Sequence, residues 1–218
     1  LSTRALVSAV TDSSKDPSVR RLLLVSSFNF AALFTYISAA LAFIVDHLHL
    51  GPGDFGWLFV PVVTMMIVGS WLTGRLAGRI SGPRFLTLGF GVAVLGGVVQ
   101  LALDVVGLRT LPWVLVGPVT TGLGIALVFP IVTLVLLEVR PRHRGTLSSM
   151  QSFSNTMLNA IVAGALVPLV SASLAGLTGA AVTFSIAGWL VWARHHRMAH
   201  PDVSAPPDPE SYEPTDRM

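Results

Sequence analysis

Cysteine is absent from this chain of 218 residues, and lysine occurs once, as Lys15. The first absence excludes disulfide scaffolds, thiolate catalysis and Cys-ligated zinc or iron–sulfur sites. Charge is scarce as well: Asp, Glu, Lys and Arg make up 11% of the residues, where a soluble domain carries about 25%. Water cannot solvate most of such a chain. What is present instead is apolar, with 52% hydrophobic residues and a mean hydropathy of +0.72. The pI of about 10.2 resembles that of a nucleic-acid binder, but it rests on a net charge of only +3. The placement of the charges therefore says more than their sum.

A helix that crosses a hydrocarbon core of about 30 Å needs about 20 mostly apolar residues. Six stretches qualify, residues 22–45, 55–74, 85–103, 111–137, 148–170 and 174–192, and none contains an Asp, Glu, Lys, Arg or His. They predict an all-α membrane protein with six transmembrane helices. Lys15, Arg20 and Arg21 precede the first span, and Arg75, Arg79 and Arg84 surround the second loop. Arg140, Arg142 and Arg144 fill the fourth loop, and Arg194 and Arg197 follow the last span. In the intervening loops stands Arg109 alone. This alternation follows the positive-inside rule and predicts that both termini are cytoplasmic. It also removes the nucleic-acid reading, because the spans scatter the arginines along the chain.

The domain organisation expected is a cytoplasmic interdomain segment over residues 1–19, with a short helix near 1–10, then the bundle over 20–197. Residues 198–218 alternate proline with Asp and Glu, and such a tail buries too little apolar surface to offset its ordering entropy, so disorder is expected.

Enzyme chemistry finds no support in the residues. A rhomboid-like protease needs a Gly-x-Ser-Gly nucleophile and an intramembrane His, whereas all six His fall in loops or tails. No phosphate-binding glycine loop occurs, and no cofactor or metal site is expected.

The most informative motif closes the second span: Gly74-Arg75-Leu76-Ala77-Gly78-Arg79-Ile80-Ser81-Gly82-Pro83-Arg84. Glycines four apart let helices approach closely, and arginines at a tight turn can meet helix C-termini or carboxylates across an interface. The spacing resembles the G-x-L-A-D-R-x-G-R-[RK] signature of the major facilitator superfamily, with Gly78 in place of its Asp and Ser81 in place of a usual Gly. Leu50-Gly51-Pro52-Gly53-Asp54-Phe55-Gly56-Trp57-Leu58-Phe59 and Phe34-Thr35-Tyr36-Ile37-Ser38 are similar to segments of bicyclomycin-resistance-type drug:proton antiporters. So are Phe129-Pro130 and Arg144-Gly145-Thr146-Leu147-Ser148-Ser149. The resemblance covers nearly all of residues 17–193 and maps to the C-terminal six helices of a twelve-helix transporter. It implies multidrug efflux by drug:proton antiport through alternating access, in a bacterial inner membrane. The implied partners are membrane lipid, an amphipathic small-molecule substrate, and either a missing N-terminal six-helix half or a second copy. A self-contained homodimeric transporter and a non-transporting scaffold or regulatory subunit are the alternatives.

Polar residues inside spans mark the candidate substrate pathway. Gln151, Asn155 and Asn159 fall four apart and line one helix face, and Asn29 and Tyr36 share a face of the first span. A polar group in hydrocarbon needs a partner, so these faces point at other helices or at water. Simple helix–helix hydrogen bonding is the competing explanation. Gly74, Arg75, Gly78, Arg79 and Arg84 form the candidate conformational turn. Gly117, Pro118 and Pro130 form the candidate hinge, since proline within a helix frees a carbonyl and permits a bend. Proton coupling needs a titratable group near the pathway. Asp46, Asp104 and Glu138 all fall at span ends, so the coupling carboxylate is expected in the other half.

Overall fold

The computed structural model describes residues 11–51, 53–76 and 79–199. The helix expected near 1–10, the Gly78 position of the turn and nearly all of the Pro/acidic tail lie outside the described residues. Among those residues there is no strand, and six helices are long and apolar enough to span a bilayer. They are α1 (Pro17–Ser38), α2 (Gly56–Leu76), α3 (Gly82–Val106), α4 (Val116–Val139), α5 (Arg144–Ile161) and α6 (Leu174–Ala199). The fifth crossing continues beyond α5 through a π turn, Val162–Leu166, and a last α turn, Val167–Val170. Proline explains the irregularity. Pro168 brings no N–H to the helix ladder, so the turn before it rearranges.

Some helix ends fall outside the apolar runs, and at the start of α1 and the end of α3 capping sets them. Asp16 accepts a hydrogen bond from the Ser18 N–H at 2.9 Å, and Pro17 opens α1 at a position where its missing N–H costs nothing. The other Asp16 oxygen meets Arg140 at 3.3 Å, tying the start of α1 to the link between α4 and α5. At its far end α3 stops at Gly107, whose φ of 85° is the left-handed conformation that closes a helix. The Leu108 N–H then reaches back to the Leu103 carbonyl at 3.0 Å. As a result α3 extends to Val106 and carries Asp104 within its last turns, 1% exposed. Asp104, expected at a span end, thus stands inside the last turn of α3 and is buried there.

Glycines set the helix spacing. The α3–α4 crossing brings Gly89 against Val128, and Gly124 against Ala93 and the Gly89 carbonyl, at distances that leave room for no side chain. A Cβ on Gly124 would meet both at 2.8 Å. On the other side of α4, a Cβ on Gly69 of α2 would meet Ala126 at 2.8 Å. Lipid offers no hydrophobic drive for helix association, so close backbone approach through small residues is what holds such helices together.

The apolar core is split in two. One cluster holds Val19, Leu22 and Val25 of α1 with Leu86, Phe90, Val132, Leu136 and Trp192. The other holds Tyr36 and Phe43 with Leu58, Val62, Ile125, Val162 and Leu177. Along α1, Ser26, Ser27 and Asn29 lie between them, so a buried polar layer separates two apolar ends. Near the inner end of α6, Trp192 is buried at 4% exposure, whereas Trp189 stays accessible at 37%.

Candidate functional site

The polar layer is built from α1, α4 and α5. Gln151 Nε2 donates to Ser26 Oγ and to Thr133 Oγ1, both at 2.9 Å. Asn155 Oδ1 accepts from Ser27 at 3.0 Å and from Ser26 at 3.3 Å. The proton count closes. Ser26 accepts from Gln151 and donates to Asn155; Ser27 donates to Asn155 and takes a hydrogen bond from Ser154 at 2.8 Å; Thr133 donates to the Phe129 carbonyl at 2.9 Å. Gln151 and Asn155 thus hold α5 against α1 and α4.

The other three pathway candidates behave differently. Asn29 Nδ2, Asn159 Oδ1 and the Tyr36 hydroxyl are buried and make no hydrogen bond. The Tyr36 hydroxyl faces Thr178 without reaching good hydrogen-bond geometry. Buried polar atoms are nearly always satisfied, so these positions retain capacity for a ligand group or a water. The five candidates therefore divide into a packing pair and three groups with unused hydrogen-bonding capacity.

The outer face of α5 carries a second polar surface. Of the most apolar 18-residue window of the fifth crossing, 17% is buried, against 56% for α1. Ser148, Ser152, Thr156, Ala160 and Gly164 are exposed along it, interleaved with Phe153 and Met157. The second crossing is just as uncovered, at 17%, but most of its exposed side chains are large and apolar, Val60, Val63, Ile67, Val68 and Trp71 among them, with Thr64 and Ser70 as the exposed hydroxyls. The first face suits a partner or water, and the second suits lipid.

At the candidate turn, Arg75 stacks its guanidinium over the Trp71 ring, 5.2 Å from the centroid. Arg79 and Arg84 are exposed. A Cβ on Gly74 would meet nothing within 4 Å, so Gly74 makes no close helix contact inside this bundle. Gly78, the other glycine of the expected packing strip, lies outside the described residues. In the candidate hinge, Pro118 stands in the first turn of α4, where it breaks no hydrogen bond, and Pro130 lies within the helix. A Cβ on Gly117 would meet the Tyr36 hydroxyl at 2.7 Å and Gln100 Cγ at 3.1 Å. Close approach accounts for this glycine.

One buried cluster escaped the sequence reading. Gln100 Nε2 donates to Asp104 Oδ1 at 3.0 Å, and Gln100 Oε1 accepts the Gly117 N–H at 3.0 Å. The second Asp104 oxygen is buried without a partner. Arg109 donates to the Asp104 carbonyl at 3.3 Å, and His47, bonded to the Ser171 carbonyl at 2.8 Å, is a further neighbour. The signal was available: Gln100 and Asp104 are four apart at the end of an apolar run. No group of residues able to hold a metal ion occurs among the described residues. No family model and no curated protein matches this sequence.

Proposed function

We propose that this chain is one six-helix bundle of a secondary active transporter, the C-terminal half of a major facilitator fold that exports amphipathic compounds in exchange for protons. The observation that carries the reading is the uncovered face of α5, where hydroxyls and small residues stand exposed on a helix that must cross hydrocarbon. Such a face needs a second bundle or a water-filled pathway against it. In the proposed mechanism two bundles rock about a site at mid-depth and expose it to each side in turn. The separation of the two apolar ends by a polar layer suits that motion. Asn29, Tyr36 and Asn159 would contact substrate, while Gln151 and Asn155 keep α5 rigid. Asp104 is the one carboxylate buried among the described residues and sits at the end of α3, so the coupling carboxylate at mid-depth is assigned to the partner bundle. No catalysis is assigned to the chain. The positive-inside rule supports a cytoplasmic arginine-rich end, and the resemblance to bacterial antiporters supports an inner membrane.

Two measurements test this. The chain has no native cysteine, so single cysteines report cleanly. In native membranes, Ser152→Cys and Thr156→Cys should react with a water-soluble maleimide and be protected by substrate. Leu190→Cys, on an apolar face and 62% exposed, should stay inert. If Thr156→Cys is as inert as Leu190→Cys, the α5 face meets lipid and the transporter reading fails. Cross-linking of Thr156→Cys to a second copy of the chain would replace the missing half with a homodimer. For orientation, reporters at Ser81, His143 and His196 should read cytoplasm, and reporters at Gly53, Arg109 and Ser173 should read exterior. An exterior signal at Ser81 inverts the bundle.

A further inference from the structure

At the arginine-rich end of the bundle, α3 and α6 part and leave an open cavity of about 850 Å³. The splay follows from where the small residues lie. The two helices touch closely where Gly97 takes Val182 and where Gly188 takes the ring of Phe90, a Cβ there meeting it at 2.8 Å. Beyond Gly188 the residues are bulky, and the helices can no longer close. The cavity wall includes Arg84, Thr87, Leu88, Trp189, Trp192 and Arg197. Among the described residues no carboxylate lines it. Arg84 and Arg197 are both exposed and make no hydrogen bond or ion pair among the described residues. Two unpaired guanidiniums thus stand at the mouth of a cavity whose bed is tryptophan and leucine, with Leu88 53% exposed.

We propose that this cavity binds an anionic phospholipid. The phosphate takes the two guanidiniums, which present paired donors to phosphate oxygens in a geometry an ammonium lacks. An acyl chain lies along Leu88 and Trp189. The position fits, since tryptophan and arginine together mark the depth where headgroup meets hydrocarbon. Basic pockets between helices are the sites where acidic headgroups are held in preference to zwitterionic ones. Inorganic phosphate satisfies the arginines but leaves the apolar bed empty, and so the lipid is the occupant that uses the whole cavity. The inference is independent of transport and holds for any function of the bundle.

The test uses the full chain in nanodiscs of phosphatidylcholine with added phosphatidylglycerol of equal chain length, reading retained lipid by native mass spectrometry. The wild type should retain phosphatidylglycerol in preference. R84Q/R197Q should weaken that preference about thirtyfold, roughly fivefold for each arginine near an anionic headgroup. R84K/R197K should fall between the two, since an ammonium keeps the charge but not the paired donors, and R142Q, outside the cavity, should leave the preference unchanged. Equal retention by wild type and R84Q/R197Q, or an equal loss in R142Q, would mean diffuse charge attraction and overturn the site. Arginine-dependent binding of inorganic phosphate in phosphatidylcholine discs, with no phosphatidylglycerol preference, would overturn the lipid assignment. Retention of phosphatidylglycerol only after Asp202, Asp208 and Glu210 are neutralised would give the cavity to the chain's own acidic tail and overturn it too.

Discussion

Replacing Gly96 with alanine should destabilise the bundle by about 3 kcal/mol, the upper range for forcing a methyl into a packed core. The added Cβ falls onto Thr120 of α4 and overlaps its Oγ1, Cβ and Cγ2 together. Rotating the threonine does not help, because its Cβ is fixed by the backbone, and its hydroxyl is already bonded to the Val116 carbonyl at 2.6 Å. The α3–α4 crossing must therefore widen, and the neighbouring contacts Gly89–Val128 and Gly124–Ala93 lengthen with it. Gly91→Ala is the control. It lies in the same helix, but a Cβ there meets nothing within 4 Å. It should be neutral or stabilise by up to about 1 kcal/mol through helix propensity alone. Gly74→Ala should behave like Gly91→Ala. Thermal unfolding of the three variants in one detergent decides the matter. If Gly96→Ala and Gly91→Ala shift the midpoint in the same direction, propensity rather than packing rules this crossing.

The contrast between Gly96 and Gly74 also marks how far the residues could be read without coordinates. Six crossings were legible because one effect dominates: about 20 apolar residues in a row have few soluble alternatives. Which glycine faces a neighbour was not legible, since glycine suits a close contact and an open surface alike. Gly74 drew attention through a motif and turned out to face open space; Gly89, Gly96 and Gly124 sit in unremarkable apolar sequence and carry the α3–α4 contact. Asp104 escaped for a different reason. An apolar run is counted until the first charge, whereas a helix continues until it is capped, here three residues further on at Gly107.

At the candidate site, spacing fixed which residues share a face but not what lies across from it. Gln151, Asn155 and Asn159 do line one face, all three buried. Only the packing separates the first two, which are saturated by Ser26, Ser27 and Thr133, from Asn159, whose carbonyl oxygen is unused. The exposed hydroxyls of Ser152 and Thr156 gain their meaning the same way. Serine and threonine in a span usually return a hydrogen bond to their own helix and tell little. It is the absence of any covering helix in this bundle that turns that face into the basis for a two-bundle reading.

The largest effect is expected at Gln100. The first N–H groups of a helix lack partners within it, and α4 begins at Val116, so the Gly117 N–H is one of these. Gln100 of α3 supplies the acceptor and, with its other end, donates to Asp104. A single amide therefore serves both a helix terminus and a buried carboxyl. Gln100→Leu removes both bonds at once and leaves Asp104 with no side-chain partner on either oxygen. Each buried polar group left without a partner costs about 1–3 kcal/mol, so the loss expected from the two together is about 3–5 kcal/mol. Asp104→Asn keeps an acceptor oxygen for the Gln100 amide and should cost no more than about 1 kcal/mol, near the values for single hydrogen bonds between membrane helices. The double variant Gln100→Leu/Asp104→Leu removes the carboxyl along with its partner. It should recover about half of what Gln100→Leu loses, leaving chiefly the uncapped Gly117 N–H, a cost of about 1–3 kcal/mol. Such non-additivity is the mark of groups that act as a unit. Thermal unfolding of the wild type, Gln100→Leu, Asp104→Leu and the double variant measures the coupling directly. If the two single losses simply add, Gln100 and Asp104 are independent packing positions and the cluster is no unit at all.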